Sequence, residues 1–153
     1  MEEWRGVQDF GNGYYEVSNK GRYRSLDRYV KSGRGNGTRL LKGRIKKLHY
    51  RGRYLFASIT VERECRSIYI HRLVARAFPE ICGEWFEGCE VDHINTDISD
   101  NRAENLRVVT KTENANNPLT KKHLRDATTK WLKENGHPLK GKHLNEEKKE
   151  KRR

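Results

Sequence analysis

The 153-residue chain is 33% hydrophobic and 35% charged, with a formal net charge of +12 at pH 7. So small an apolar fraction excludes a large buried core, and no apolar run approaches the ~18 residues that a membrane-spanning helix needs. A positive surplus of this size points to a polyanion as partner, and nucleic acid is the commonest soluble one.

Taken in chain order, Trp4, Val7, Phe10, Tyr14, Tyr15 and Val17 lead into Arg22-Tyr23-Arg24-Ser25-Leu26, with turn signals at Gly11, Gly13 and Asn19-Lys20-Gly21. The pattern predicts short strands joined by tight turns. Residues 31–39, KSGRGNGTR, read as a Gly-rich basic loop. Strand patterning resumes from Leu40 to Val61, with Arg51-Gly52-Arg53 as a hairpin tip. Ser67 to Ile70 reads as one more strand. It runs into a helix over 71–78, apolar at helical spacing and stopped by Pro79. Residues 89–94, CEVDHI, read as a strand, 95–105 as a polar loop and 106–110 as the return strand. A short helix follows over 111–117, capped by Thr110 or Thr112 and ended by Pro118. Residues 119–135 predict a helix with Leu124, Ala127 and Trp131 on one face, stopped by Gly136 and Pro138. Residues 139–153 lack apolar periodicity and are expected to order only on a partner.

The charge is unevenly distributed. Residues 1–60 hold 14 Lys/Arg against 5 Asp/Glu, residues 61–117 hold 7 against 11, and residues 118–153 hold 12 against 5. Two basic arms therefore bracket a mildly acidic centre. Basic arms neutralise phosphates, whereas an acidic centre meets phosphate only if a cation bridges the two. The N-terminus MEEWRGVQDF has neither a cationic n-region nor an apolar h-region, so no secretory signal is expected. Cys65, Cys82 and Cys89 are odd in number and lack CxxC spacing. They read as reduced thiols, with zinc at Cys82, Cys89 and a histidine as the alternative.

The informative stretch is VDHINTDISDNRAENLRVVTKTENANN, residues 91–117. Asp92 and His93 are neighbours at a strand end, where successive side chains point to opposite faces, so one can bind metal while the other faces substrate. The return strand brings the following helix back beside them, and its Asn114 can offer an amide oxygen to the same ion. Few ligands, all oxygen, suit Mg²⁺, with Mn²⁺ also possible. His93 is the candidate general base, because an unperturbed imidazole with a pKa of about 6.5 is mostly neutral at pH 7. Two other readings compete. The asparagines also serve as turn formers and caps. Asp97, Ser99 and Asp100 hint at a calcium loop, but no register places Gly at position six and Glu at position twelve.

This stretch, with the His71-Arg72-Leu73-Val74-Ala75 segment upstream, resembles the HNH nucleases, most closely homing endonucleases of the phage intron-encoded and free-standing type. The resemblance rests on Val91-Asp92-His93, Asp100-Asn101-Arg102, Glu104 to Thr110 and Glu113-Asn114. It implies a ββα-metal fold holding one divalent ion, with Asp92 and Asn114 as metal ligands and His93 and Asn105 as catalytic residues. Asn105 corresponds to the middle N of the motif and is expected to brace the loop and orient His93 by a hydrogen bond. Products with 5′-phosphate and 3′-hydroxyl ends are expected. His71, at the helix start, is expected to cap or pack.

Trp4, Tyr15 to Asn19 and Gly21 to Leu26 resemble a small DNA-binding module found beside HNH domains. Alternation of Arg22, Arg24 and Arg28 would line one strand face with guanidinium groups, against the alternative of a solvated basic face. Residues 135–148 resemble a second DNA-binding repeat carrying Gly-Lys-x-His, here Gly141-Lys142-His143-Leu144. The expected DNA contacts are thus Arg22, Arg24, Arg28, Arg107, Lys140, Lys142 and His143.

The expectation is an α+β protein in three parts: a small antiparallel β module over 1–62, a ββα-metal nuclease domain over 63–118, and a basic helical or extended tail over 119–153. Its partner is double-stranded DNA, not a membrane, and it acts as a monomer or homodimer. The resemblance implies a phage-encoded protein working in the cytoplasm of the bacterial host. The rivals are a DNA-binding regulator or architectural protein with an inactive HNH core, and an RNA-directed or non-specific nuclease.

Overall fold

A computed structural model of the chain describes residues 1–7, 11–33, 36–61 and 64–136. Nine strands come first: β1 (Trp4–Gly6), β2 (Tyr15–Ser18), β3 (Tyr23–Ser25), β4 (Arg28–Lys31), β5 (Thr38–Leu41), β6 (Arg44–Lys46), β7 (His49–Arg51), β8 (Tyr54–Val61) and β9 (Glu64–Tyr69). Helices α1 (Ile70–Ala77) and α2 (Pro79–Cys82) follow. The chain continues through β10 (Glu90–His93), β11 (Leu106–Val109), α3 (Lys111–Ala115) and α4 (Pro118–Asn135). The fold is α+β, as expected. Lys140, Lys142 and His143 lie outside the described residues. No described helix is long and apolar enough to cross a membrane.

The chain divides into two compact units, Met1–Asn116 and a second that begins at Asn117. In the first unit every strand pairing is antiparallel, in sheets ordered β1-β2-β3-β6, β4-β5, β7-β8-β9 and β10-β11. The β4–β5 hairpin is an excursion between two neighbours of the first sheet. The tip expected at Arg51-Gly52-Arg53 joins β7 to β8, and Gly52 takes φ +62° there, a conformation glycine adopts without steric cost.

Alternate residues of the first sheet point inward: Tyr15, Val17 and Tyr23 are buried, as are Ala57 and Ile59 of β8. They share one cluster with Ile70, Leu73, Val74 and Phe78 and with Ala103 and Leu106 from the following segments. Residues on both sides of position 62 thus form a common core. The tyrosines add polar ties, since Thr60 N donates to Tyr15 Oη (3.0 Å) and Ser58 N donates to Tyr23 Oη (3.2 Å). Cys82 is buried and its Sγ donates to Ala103 O (3.4 Å); burial pushes this thiol up to about 11. It behaves as a packing residue.

The second unit, over its described residues, is the single helix α4. Pro118 opens it and the Asn117 side chain caps it by accepting from Leu119 N (3.0 Å). Leu124 and Trp131, expected on one face, are 63% and 49% exposed.

Candidate active site

The site is built on the β10–β11 hairpin. Its register sets Asp92 opposite Arg107 and His93 opposite Leu106. The connecting loop is held by its own short polar side chains. Asn105 Oδ1 accepts from Asn95 N (3.0 Å), and its Nδ2 donates to Asn95 Oδ1 (3.0 Å) and Asp100 O (2.8 Å). Asp100 pairs with Arg102 (2.7 Å), and that guanidinium holds its carboxyl down at about 2. Such Asx-type bonds let a loop of short polar side chains keep a fixed shape.

His93 is only 5% exposed, at the strand end. Its Nε2 meets Asn101 Oδ1 at 3.3 Å. The amide orientation of Asn101 is fixed independently, because its Nδ2 donates to Ser99 O (2.9 Å). The oxygen therefore faces the imidazole, so the ring must donate from Nε2 and carry its lone pair on Nδ1. The residue that bonds His93 is Asn101, while Asn105 fixes the loop that carries Asn101. The expected brace is present, and the orienting bond comes from a neighbour.

Asp92 is 6% exposed, and its Oδ2 accepts from Arg107 Nε (2.9 Å) and Nη2 (2.7 Å). The guanidinium expected on DNA thus lies on the candidate metal-binding carboxylate. It compensates a charge that would be costly to bury alone. Asn114 sits on α3, whose start is fixed by a capping box between Thr110 and Glu113. Asn114 Nδ2 donates to Glu90 Oε2 at 2.6 Å. Glu90 and Asp92 alternate along β10, so the bond places Asn114 on the face that carries Asp92. With its nitrogen committed to Glu90, the amide oxygen of Asn114 is the atom left to ligate.

Among the described residues no three His, Cys, Asp or Glu side chains form a metal cage. One carboxylate and one amide oxygen make an open donor set. That set fits a hard ion that keeps waters and takes phosphate oxygens, and it does not fit a closed zinc site.

His71 joins this site from α1. Its ring centroid is 5.4 Å from His93, 5.6 Å from Tyr69 and 5.3 Å from Tyr54. Burial and the neighbouring His93 hold its pKa down at about 4, so it is neutral at pH 7. Its place at the helix start matches the expectation of a packing residue, but it packs against the candidate base His93. The sequence signal for it is its place in His71-Arg72-Leu73-Val74-Ala75, upstream of the motif.

The N-terminal sheet also reaches the site. Ala103 N donates to Asn19 O (2.9 Å) and Lys20 pairs with Glu104 (2.7 Å). Gly21, at φ +77°, lets the β2–β3 turn lie against Asn101; a Cβ there would stand 2.9 Å from Asn101 O. The expected row of arginines is divided. Arg22 and Arg24 lie over the Trp4 ring (5.6 and 4.4 Å) and pair with Glu2 and Glu16. Arg28 opens β4 in a different sheet, stacked on Tyr14 and Tyr15. The chain leaves β3 at Ser25, which breaks the alternation.

Residues 68–116 match the HNH endonuclease family, and residues 2–60 match the NUMOD4 motif. The HNH endonuclease match thus covers about a third of the chain, the part that holds the site. The chain is similar to DNA endonuclease I-HmuI of Bacillus phage SP01, with 33% identity over 119 residues, 78% of this chain and 59% of that one. It also resembles the solved structure of DNA binding and cleavage by the HNH homing endonuclease I-HmuI. There the TM-score is 0.59 at 26% identity, over 84% of this chain and 66% of that chain. The chain thus spans less than two thirds of the length of these relatives. The HNH match includes β10, β11 and α3, the hairpin and helix described above, and it also takes in His71.

Proposed function

We propose that this HNH protein is a metal-dependent endonuclease that hydrolyses phosphodiester bonds in double-stranded DNA, as a site-selective nicking or cleaving enzyme of the homing type. The observation that carries the proposal is the contact of the buried His93 ring with Asn101: Nε2 lies 3.3 Å from an amide oxygen whose nitrogen is held by Ser99 O, which leaves Nδ1 to act as the base. A turn-forming Asp-His pair in a DNA-binding regulator has no need of that arrangement.

His93 Nδ1 takes the proton of the attacking water. Asn101 holds the ring in the required tautomer, and Asn105 holds the loop. Asp92 and Asn114 are the residues that would hold one divalent ion, Mg²⁺ in our reading, with Mn²⁺ as substitute. When bound, such an ion supplies positive charge to stabilise the phosphate and the leaving 3′ oxygen. Products with 5′-phosphate and 3′-hydroxyl ends follow from departure of that oxygen.

DNA contact is proposed for the basic arms, through Arg22, Arg24, Arg28 and Arg107 and through Lys140, Lys142 and His143 of the tail. Arg22 and Arg24 reach phosphate by exchanging their glutamate partners, because ion pairs near the surface contribute little. Arg107 has a tighter hold on Asp92.

The test is incubation of supercoiled plasmid with Mg²⁺, alongside EDTA and His93→Ala controls. Open-circle product indicates nicking and linear product indicates paired cuts. Loss of the base is expected to slow the reaction about 10²–10⁴-fold, and chelation is expected to stop it. Undiminished cutting by the His93→Ala protein would exclude the mechanism, and DNA binding without any cutting would favour the regulator.

A further inference from the structure

A cleft of roughly 700 Å³ opens beside the site, with Tyr54 and Tyr69 from the β8–β9 sheet, Arg72 and Arg76 from α1, and Trp85 around it and His71 in its lining. Its cations stand out within an otherwise acidic segment. Arg72 and Arg76 are exposed, four residues apart on one helix face, and both lie over the Trp85 ring at 5.4 and 4.3 Å. Stacking restrains two long side chains and holds their positive charge at the cleft. Helix positions four apart are about 5–6 Å apart at Cβ, a spacing on the scale of successive phosphates in one strand.

His71 gives a second, independent indication. It is 8% exposed, and its Nδ1 is buried with no hydrogen-bond partner. A proton on Nδ1 would be a buried donor lacking an acceptor, so the neutral ring carries its proton on Nε2. Glu87 and Glu90 are also in the lining, and Glu90 is committed to Asn114 Nδ2 at 2.6 Å. The same cleft thus reaches Asn114.

We propose that this cleft seats the sugar-phosphate backbone of the strand that is cut, with Arg72 and Arg76 holding phosphates beside the scissile one and His71 Nε2–H donating to an oxygen of the phosphate next to His93. That the strand is cut rests on the nuclease reading; that a strand binds here rests on the cleft alone.

The test uses the full chain and a short fluorescein-labelled duplex of random sequence, bound in EDTA over a range of salt. Arg72→Gln with Arg76→Gln is expected to lower the slope of log K against log salt by about 2, near one for each lost phosphate contact. An unchanged slope overturns the strand seat. In parallel, His71→Phe keeps a flat ring between the tyrosines but removes the donor. At saturating enzyme it is expected to slow Mg²⁺-dependent plasmid nicking about 10²–10³-fold, with His71→Gln, which retains an N–H, recovering part of the rate. Wild-type nicking by His71→Phe, or a Phe variant faster than the Gln variant, overturns the part given to His71. If the wild-type protein binds with an arginine-dependent slope yet cuts nothing, the nuclease reading fails and the strand seat stands.

Discussion

His71 and Asn101 carry the finest decisions in the molecule. His71 is neutral because it is buried beside a second imidazole, and this has a consequence for stability. Its folded pKa of about 4 lies below the ordinary imidazole value. Between pH 6.5 and 4 the unfolded chain therefore binds the additional proton, and stability falls as pH is lowered through that window. Urea unfolding of His71→Phe over the same window is expected to show a flatter pH dependence than wild type, and parallel curves would count against a buried neutral imidazole. Asn101 acts through His93. Replacing Asn101 by Ala removes the acceptor that selects the Nε2–H tautomer, and a fall of about 10–100-fold in kcat is expected, the usual scale for a residue that orients a reactive group. Nitrogen-15 spectra of the His93 ring check the cause directly: Nε2–H should dominate in wild type, and Nδ1–H in wild type would contradict the assignment.

At the scale of elements, the β2–β3 turn and the β10–β11 loop act as a single mechanical piece. The turn reaches the loop through Asn19 O, Lys20 and the bare Cα of Gly21. Gly21→Ala meets two penalties. An L-residue in left-handed backbone costs about 1–2 kcal/mol, and its Cβ would press on Asn101, 2.9 Å from the carbonyl oxygen and 3.0 Å from Cβ. Loss of stability of at least that size is expected in thermal or urea unfolding. A drop in cutting by the fraction that stays folded should accompany it, since Asn101 is displaced. Destabilisation with full specific activity would mean that the turn supports the fold without aligning the catalytic loop. The capping box at Thr110 plays the corresponding role on the other side, fixing the start of the helix that presents Asn114.

At the scale of the whole molecule, charge and core are segregated. The first unit holds the described core, whereas α4 has no buried side chain. Ending the chain after Thr120 is therefore expected to leave the unfolding midpoint of the remainder within a few degrees of wild type, since surface losses seldom exceed about 0.5 kcal/mol. It also removes a segment in which 12 Lys/Arg outnumber 5 Asp/Glu across residues 118–153. DNA affinity and its salt dependence should both decrease, as counterion release requires. A truncated protein that binds DNA with an unaltered salt slope would assign no phosphate contacts to the tail.

The sequence alone determined the α+β class, the hairpin tip at Gly52, the strand–loop–strand–helix order around Asp92 and His93, a threonine cap at Thr110 or Thr112 and the two basic arms. These depend on local periodicity, turn chemistry and residue counts, which operate over a few neighbouring positions. Only the tertiary structure decided that His71 lies against His93, that Asn101 and not Asn105 bonds the imidazole, that Arg107 lies on Asp92, and that the arginines following β2 divide between two sheets. Each of these is a contact between residues distant in the chain or on different strands, or a choice between two asparagines of one loop. Such contacts depend on sheet register, on where a loop doubles back and on what a buried ring finds beside it, quantities that packing fixes and that no local pattern encodes.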